Sequence, residues 1–256
     1  HGTDVMGLAS AARNGVGMMG VAFNATLANI LVKEVDGYSE PGDWAGELIE
    51  AGVSVMNGSF GPPAIPPEDL ETGEPNPDYQ VVDYQPVTDD DLFEGLSAVE
   101  RLAAADVVMV FSAGNEFDEQ PISSQIPSGA AMVPLVTPAR TEARSLYRII
   151  ADGDPYDPDT WIEASLADVG DLDGSDYAGA LIAVVAVDQQ NDIAWFSNRC
   201  GAAADWCLDS PGVELYSTVP VSTYAGGPEW SGTSMAAPLV AGGAALVRQA
   251  FPYMTA

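Results

Sequence analysis

The residues best suited to chemistry lie near the C-terminus, in Ser231-Gly232-Thr233-Ser234-Met235-Ala236-Ala237-Pro238. Ser234 stands between a small-residue turn and an apolar run, 235–249, that predicts a helix. Free N–H groups and the positive dipole end at a helix N-terminus favour a developing anion. A serine there becomes a nucleophile once a base removes its proton, although an isolated serine is more often an N-cap. Pro238 is expected in the first turn, where its missing N–H is no loss.

The sequence offers one candidate for the base that would remove this proton. His1 is the only histidine, and its side chain alone has an unperturbed pKa close to neutrality. Apolar spacings of three and four predict a helix over 1–12, with His1 in its first turn and Asn14-Gly15 as its end. The competing interpretation is a solvated terminal side chain.

The remaining pattern alternates strands and helices. Apolar runs predict strands at 27–35, 53–57, 107–111, 181–187, 193–196 and 213–219, and periodic patterns predict helices at 43–51, 91–105 and 141–150. This alternation predicts an α/β fold whose parallel sheet is covered by helices on both faces. Asn115 follows the strand at 107–111, and in such sheets ligands bind at the carboxyl ends of the strands.

Two acidic insertions, about 62–91 and 117–179, predict surface loops within a single domain that spans 1–256. Asp152–Asp159 and Asp171–Asp176 have carboxylate spacings that suit calcium, which makes calcium the one cofactor the sequence suggests. Neither stretch has the complete spacing of an EF-hand, and surface acidic turns explain both more simply. No cofactor is expected to be required.

The composition excludes several classes of function. With 38 acidic and 8 basic residues the net charge is −30, which excludes binding to nucleic acid or to anionic membranes as a main activity. No apolar run reaches the roughly 18 residues of a membrane helix. This charge suits a secreted protein. Adaptation to salty water and compositional drift both explain it.

Cys200 and Cys207 are the only cysteines, and they lie a short loop apart. They could form a disulfide, half of a metal site or two free thiols. A zinc site with four Cys/His ligands is excluded because His1 is the only further ligand of that kind. We expect a disulfide formed in an oxidising compartment.

Together, Ser231–Pro238, His1-Gly2-Thr3 and Ala113-Gly114-Asn115-Glu116 resemble the signature motifs of the subtilisin-like serine proteases, the subtilases, in the order of that family. The resemblance implies a three-layer α/β catalytic domain with a mostly parallel central sheet. Gly15 to Asn24 and the stretch around the cysteines look most like secreted or cell-surface bacterial subtilases, above all autotransporter passenger domains. A prodomain or a C-terminal translocator is then expected outside this sequence.

The resemblance also implies roles for individual residues in the hydrolysis of polypeptides. Ser234 would attack the scissile carbonyl, His1 would act as the general base, and the Asn115 amide with the Ser234 N–H would hold the oxyanion. An extended substrate would add as a strand in a cleft whose walls include Ser59, Phe60, Gly61, Ala113 and Gly114. No metal site is implied.

The sequence departs from the family pattern at the catalytic aspartate, which in subtilases precedes the histidine. The sequence begins at His1, so we expect that aspartate on an upstream strand, with chain missing at both ends and little activity in this piece alone. Asp4 stands where subtilases often have a second histidine and is expected on a helix face. The alternative to a secreted serine endopeptidase is a non-catalytic, subtilase-like domain for extracellular binding or adhesion.

Overall fold

A computed structural model describes residues 1–30, 33–35, 38–40, 44–61, 89–118, 123–135, 146–149, 161–164, 173–220, 223–226 and 230–256. We number its helices and strands in chain order: α1 (Gly2–Ser10), β1 (Lys33–Val35), β2 (Tyr38–Glu40), α2 (Trp44–Glu50), β3 (Val55–Gly58), α3 (Asp89–Ala104), β4 (Val108–Ser112), β5 (Leu146–Ile149), β6 (Trp161–Ala164), β7 (Leu181–Val187), β8 (Cys207–Pro211), β9 (Tyr216–Val219), β10 (Thr223–Gly226) and α4 (Thr233–Ala250).

The central sheet contains four parallel strands in the order β3-β4-β7-β8. Its middle strands are rich in Val, Met, Phe and Leu and are buried on both faces, as is usual for parallel sheets. Within the described residues β3 pairs only with β4, so its other side is an edge of the sheet. The three other strand pairs, β1 with β2, β5 with β6 and β9 with β10, are antiparallel.

Helices cover both faces of the sheet, which gives the three layers that were predicted. Alternate side chains of β4 point to opposite faces: Met109 and Phe111 pack with α2 and α3, whereas Val110 packs with α4. The α4 side of the core is built from small residues, Ala236, Ala237 and Ala241 among them. Small side chains let this helix lie close to the strands.

The helix that carries His1 packs against the helix that carries Ser234. Gly242 of α4 lies so close that an added Cβ would stand 2.7 Å from the Val21 Cβ and 3.0 Å from the Ala9 carbonyl oxygen. Real Cβ atoms essentially never approach other atoms more closely than 3.0 Å. Only glycine therefore permits this contact, and it fixes the distance between the two helices.

Most predicted elements of the sheet and its helices are present within two or three residues of their expected ends, but two predictions were wrong. Among the described residues of the strand expected at 27–35, Lys33–Val35 form a strand that pairs with β2 outside the central sheet, whereas 27–30 have no regular structure. At 141–150 a helix was expected, whereas Leu146–Ile149 is a strand. Pairing with Trp161–Ala164 favours the extended form of a segment that contains Tyr and Ile.

Smaller differences concern the loops. Ile193 makes a single bridge to Val187 where a strand was expected at 193–196, and the strand expected at 213–219 covers only Tyr216–Val219. Gly129–Leu135, part of the presumed surface insertion, is a buried 3-10 turn that belongs to the core. Residues 62–88 and the acidic stretch Asp152–Asp159 lie outside the described residues.

A disulfide joins Cys200 to Cys207 across the 3-10 turn Gly201–Trp206, with the two Cα atoms 5.7 Å apart. Cys207 is the first residue of β8, so the disulfide links the loop before this strand to the last strand in the order of the sheet. None of the helices in the described ranges is long and apolar enough to cross a membrane.

Candidate active site

The candidate nucleophile, Ser234, is the second residue of α4 and is half-buried. The helix begins at Thr233 after Gly232, which offers no side chain to cap it. In the first turn the Thr233 N–H donates to Asn115, and the Met235 and Ala236 N–H groups donate to the Gly232 carbonyl. Among these described groups the Ser234 N–H is the one left for an anion. The Ser234 Oγ lies 3.5 Å from the main-chain oxygen of Ser59, the outer limit of a hydrogen bond. Its proton is thus only loosely held.

Asn115 lies beside the start of α4. Its side-chain oxygen accepts hydrogen bonds from the main-chain N–H of Thr233 at 2.8 Å and from the Thr233 hydroxyl at 3.0 Å. The Thr233 N–H can only donate, so this contact identifies the oxygen of the Asn115 amide. Because the oxygen is committed to Thr233, the Nδ2 group is left to donate elsewhere. This is the arrangement that an oxyanion-binding amide needs.

Gly114 brings Asn115 into place with a backbone conformation of φ 109°, which side-chain-bearing residues rarely adopt. Its N–H donates to the Thr233 hydroxyl at 3.2 Å. The side chains of Glu116, Ser128 and Asn198 surround the position that a Cβ would take. The turn after β4 is therefore fixed both by crowding and by hydrogen bonds to α4.

A second turn, at the carboxyl end of β3, also contacts the nucleophile. The Ser59 hydroxyl donates to the main-chain oxygen of Ser234 at 2.9 Å and accepts from the Asn57 amide at 2.9 Å. The next residue, Phe60, is 45% exposed, and its ring makes edge contacts with Trp44 and Phe111 at centroid distances of 6.2 and 6.3 Å. An apolar wall thus stands next to Ser234.

The structure brings together the residues predicted at Ser59–Gly61, Ala113–Asn115 and Ser234. His1 is exposed at the start of α1, where its carbonyl accepts from the Val5 N–H at 3.1 Å. Among the described residues no hydrogen bond joins the His1 imidazole to the Ser234 hydroxyl. His1 and Ser59 do line the same cavity.

That cavity has a volume of about 970 Å³ and lies along the open edge of β3. Its other walls come from α1, α2, α4 and the segment 22–30. The apolar run at 27–30, expected as a strand, faces β3 across this space without pairing with it. Asn57 also lines the cavity, and its Oδ1 is buried without a hydrogen-bond partner in the described part of the chain.

Asp4 is buried, whereas the sequence suggested a residue on a helix face. Its side chain is 1% exposed, and neither carboxylate oxygen has a hydrogen-bond partner within the described ranges. Burial raises the pKa of Asp4; the nearby Ser217 hydroxyl and the N-terminal amino group lower it to a smaller extent. In the structure Ser217 donates to the main-chain oxygen of Asp4, not to its carboxylate, at 2.8 Å.

The described residues contain no group of three or more Asp, Glu, His or Cys side chains placed to hold a metal ion. Asp173, from one of the two stretches considered for calcium, instead accepts hydrogen bonds from the main-chain N–H and hydroxyl of Ser175 and so caps a 3-10 turn. The carboxylates of the Asp152–Asp159 stretch, and Asp171, lie outside the described ranges, so calcium binding stays a prediction.

Sequence reasoning missed Asn57, Thr233 and Pro238 as parts of this site. Thr233 and Pro238 lie inside the motif that identified Ser234, but their sequence positions do not show which groups they contact. Pro238 is the sixth residue of α4, beyond the first turn in which it was expected. Its missing N–H therefore removes a hydrogen bond of the helix.

The fold and the site together define an α/β protein. At the carboxyl end of a parallel strand, an anchored asparagine amide lies beside a serine at a helix N-terminus. The chain belongs to the subtilase family of serine peptidases, whose model matches residues 1–256. It is 28% identical over 285 residues to "Extracellular serine protease" of Serratia marcescens, covering 100% of this chain and 24% of that protein.

Subtilisin BL of Lederbergia lenta is 31% identical over 258 residues, covering 98% of this chain and 64% of the relative. Serotype-specific antigen 1 of Mannheimia haemolytica is 26% identical over 234 residues, 88% of this chain and 19% of the relative. The chain thus spans less than two thirds of each of these relatives. Among solved structures, PatG macrocyclase in complex with peptide has a similar fold, with a TM-score of 0.52 at 16% identity over 98% of this chain and 53% of that one.

Proposed function

We propose that this chain is the larger part of the catalytic domain of a secreted bacterial serine endopeptidase. The observation that carries the proposal is the Asn115 amide, which Thr233 holds by its oxygen beside the N-terminus of the Ser234 helix. An amide held in this way needs no reorganisation to stabilise an anion that forms at Ser234. Membership of a family of serine peptidases supports the same function.

In the proposed reaction, Ser234 attacks a peptide carbonyl while His1 takes the hydroxyl proton. The Asn115 Nδ2 and the Ser234 N–H stabilise the oxyanion, and His1 then donates the proton to the leaving amine. The resulting acyl-enzyme is hydrolysed by water through the same steps. The substrate main chain lies beside Ser59–Gly61 as an added strand, with Phe60 as an apolar wall for one of its side chains.

A carboxylate that orients His1 comes, in this proposal, from a segment outside the present sequence. The cavity supports this part of the proposal, because it lies between the open edge of β3 and 22–30 and has His1 on its wall. A strand in that space would pair with β3 and place a side chain next to His1. The orphaned Asn57 Oδ1 could accept a hydrogen bond from the same segment. Without that carboxylate, residues 1–256 alone are expected to be weakly active or inactive.

Export from the cell forms part of the same proposal. A net charge of −30 and a disulfide suit an extracellular protein, and one relative is an extracellular serine protease by name. Detection of the protein in culture medium or on the cell surface, with Cys200 and Cys207 oxidised, is the expected result. Retention in the cytoplasm with both thiols free would contradict this part.

The test of catalysis uses the full-length protein and a fluorophosphonate probe at low and high salt, with peptide mass spectrometry to find the labelled residue. Label on Ser234 that is lost in His1→Ala is expected. A folded protein that takes no label in either salt would contradict the proposal and favour a non-catalytic binding domain. The isolated chain 1–256 serves as a comparison and should label much more slowly.

A further inference from the structure

The Ser234 carbonyl occupies an unusual position in its helix. In an α-helix each carbonyl accepts from the N–H four residues ahead, and for Ser234 that residue is Pro238, which has no N–H. The ring of a proline inside a helix also crowds the carbonyl four residues earlier. The nucleophile's own carbonyl is therefore deprived of its regular donor.

The Ser59 hydroxyl supplies a donor in place of the missing N–H. Its Oγ lies 2.9 Å from the Ser234 carbonyl oxygen, although the two residues are 175 positions apart in the chain. The hydrogen bond joins the carboxyl end of β3 to the first turn of α4. The helix defect at Pro238 is thus repaired from the neighbouring strand, at the residue that carries the nucleophile.

Asn57 sets the direction of this hydrogen bond. A hydroxyl has one proton, and the Ser234 carbonyl can only accept, so the Ser59 proton is committed to that carbonyl. The Asn57 Nδ2 donates to the Ser59 Oγ at 2.9 Å and occupies its accepting side. The three groups form one chain of hydrogen bonds that points from the strand to the helix.

We propose that Ser59 is a positioning residue: its hydroxyl, held by the Asn57 amide, replaces the N–H that Pro238 lacks and fixes the backbone of Ser234. The effect on reactivity rests on the proposed function, whereas the effect on folding stability does not. The main-chain oxygen of Ser59 stays in place when the side chain is changed, so substrate binding along the strand should be unaffected. The side chain therefore acts on kcat and leaves KM unchanged.

A double-mutant cycle tests the compensation. Ser59→Ala, Pro238→Ala and the double variant are made in the full-length protein, and both the fluorophosphonate labelling rate and urea unfolding are measured. Ser59→Ala should slow labelling about tenfold, because an unsatisfied carbonyl shifts the nucleophile. In the Pro238→Ala background an N–H is restored at position 238, and the same change should cost at most about threefold. Equal losses in both backgrounds, in labelling and in unfolding, would overturn the proposal.

A second variant keeps the proposal open to test if Ser59→Ala does not fold. Asn57→Asp has nearly the same shape but can only accept when ionised, so the Ser59 proton turns away from Ser234. We expect labelling to slow to a similar degree, with kcat reduced and KM unchanged. Wild-type kcat in this variant would count against the assigned direction of the hydrogen bonds.

The control is Ser175→Ala, which also removes a serine hydroxyl and its hydrogen bond, in an exposed turn away from Ser234. It should leave labelling unchanged. If the wild-type protein takes no label at all, the proposed catalysis fails and the unfolding cycle alone decides the role of Ser59. The role is then supported if Ser59→Ala lowers the free energy of unfolding less in the Pro238→Ala background than in the wild-type background. It is overturned if the two substitutions have additive effects on that free energy.

Discussion

The side-chain oxygen of Asn115 accepts two hydrogen bonds from Thr233, the residue immediately before Ser234. The strand end that carries the amide and the helix start that carries the serine are therefore joined at the point where charge would develop. This contact orients the amide before any substrate binds. Preorganised donors of this kind account for a large share of catalysis by serine peptidases.

Asn115→Asp should abolish most of the activity while leaving the fold intact. The carboxylate can still accept from Thr233, but it offers no donor and places a negative charge beside the oxyanion. In subtilisin, a protease of the same family, loss of the corresponding donor costs about 3 kcal/mol, or at least about a hundredfold in kcat, and we expect a similar loss here. Measurement of kcat and thermal unfolding separates the two effects. A variant with wild-type kcat would remove Asn115 from the mechanism.

Thr233→Val should weaken the same contact more mildly. The main-chain N–H still holds the Asn115 oxygen, but the second donor is lost and the Gly114 N–H loses its acceptor. We expect about tenfold lower kcat and a free energy of unfolding lower by about 1 kcal/mol. Thr233→Ser keeps the hydroxyl and is the matched control. Indistinguishable kinetics for the Val and Ser variants would show that the hydroxyl has no role.

Asp4→Asn should stabilise the protein at neutral pH. Because the pKa of Asp4 is raised in the folded state, the folded protein holds this proton more tightly than the unfolded chain does. Stability is therefore lost as the pH rises from the unfolded pKa through the folded pKa, because burial penalises the charged carboxylate. Removing it should raise the free energy of unfolding by about 1 kcal/mol at pH 7.

The control for Asp4→Asn is Asp176→Asn, which changes the net charge equally at an exposed side chain. Urea unfolding from pH 4 to 8 should show the stabilising effect of Asp4→Asn growing with pH and that of the control staying small. A gain that is the same at pH 4 and pH 8 would mean that Asp4 is not the titrating group.

Gly114→Ala should destabilise the fold and disable the site together. The φ of 109° is strained for any L-residue with a side chain, and the added methyl meets Glu116, Ser128 and Asn198. We expect a loss of at least about 2 kcal/mol in unfolding and a displaced Asn115. Gly179→Ala, whose Cβ would meet nothing within 4 Å, is the control. A stable, active Gly114→Ala protein would show that the turn can relax.

Arg248→Met should lower the stability of the protein at neutral pH and make that stability less dependent on acid. Hydrogen bonds from Arg248, and a further one from the Ala256 N–H, lower the pKa of Asp106 in the folded state. A lowered carboxyl pKa contributes stability above the unfolded pKa, and this contribution disappears as the pH falls through the folded pKa. The variant should lose more stability at pH 7 than at pH 3, as measured by urea unfolding. An equal loss at both pH values would assign the effect to packing.

Much of this protein is determined by local sequence. The run Ser231–Pro238 predicts a helix start, because small residues there are followed by an apolar continuation. Its resemblance to the subtilase motif is what predicts Ser234 as the nucleophile. Strands such as Leu181–Val187 are recognisable because a strand buried on both faces must be apolar along its length. The three-layer arrangement follows from their alternation with amphipathic helices.

Other features depend on contacts between distant residues, which the sequence does not display. Asp4 looks like an ordinary residue of a helix face until β9 covers it. Residues 27–30 look like a strand, although in the described part of the chain no strand pairs with them. The observed start of α4 at Thr233 places Pro238 beyond the first turn and so leaves the Ser234 carbonyl without its regular donor. Only the tertiary structure decides that Ser59 supplies it, because the two residues meet only once β3 and α4 have packed together.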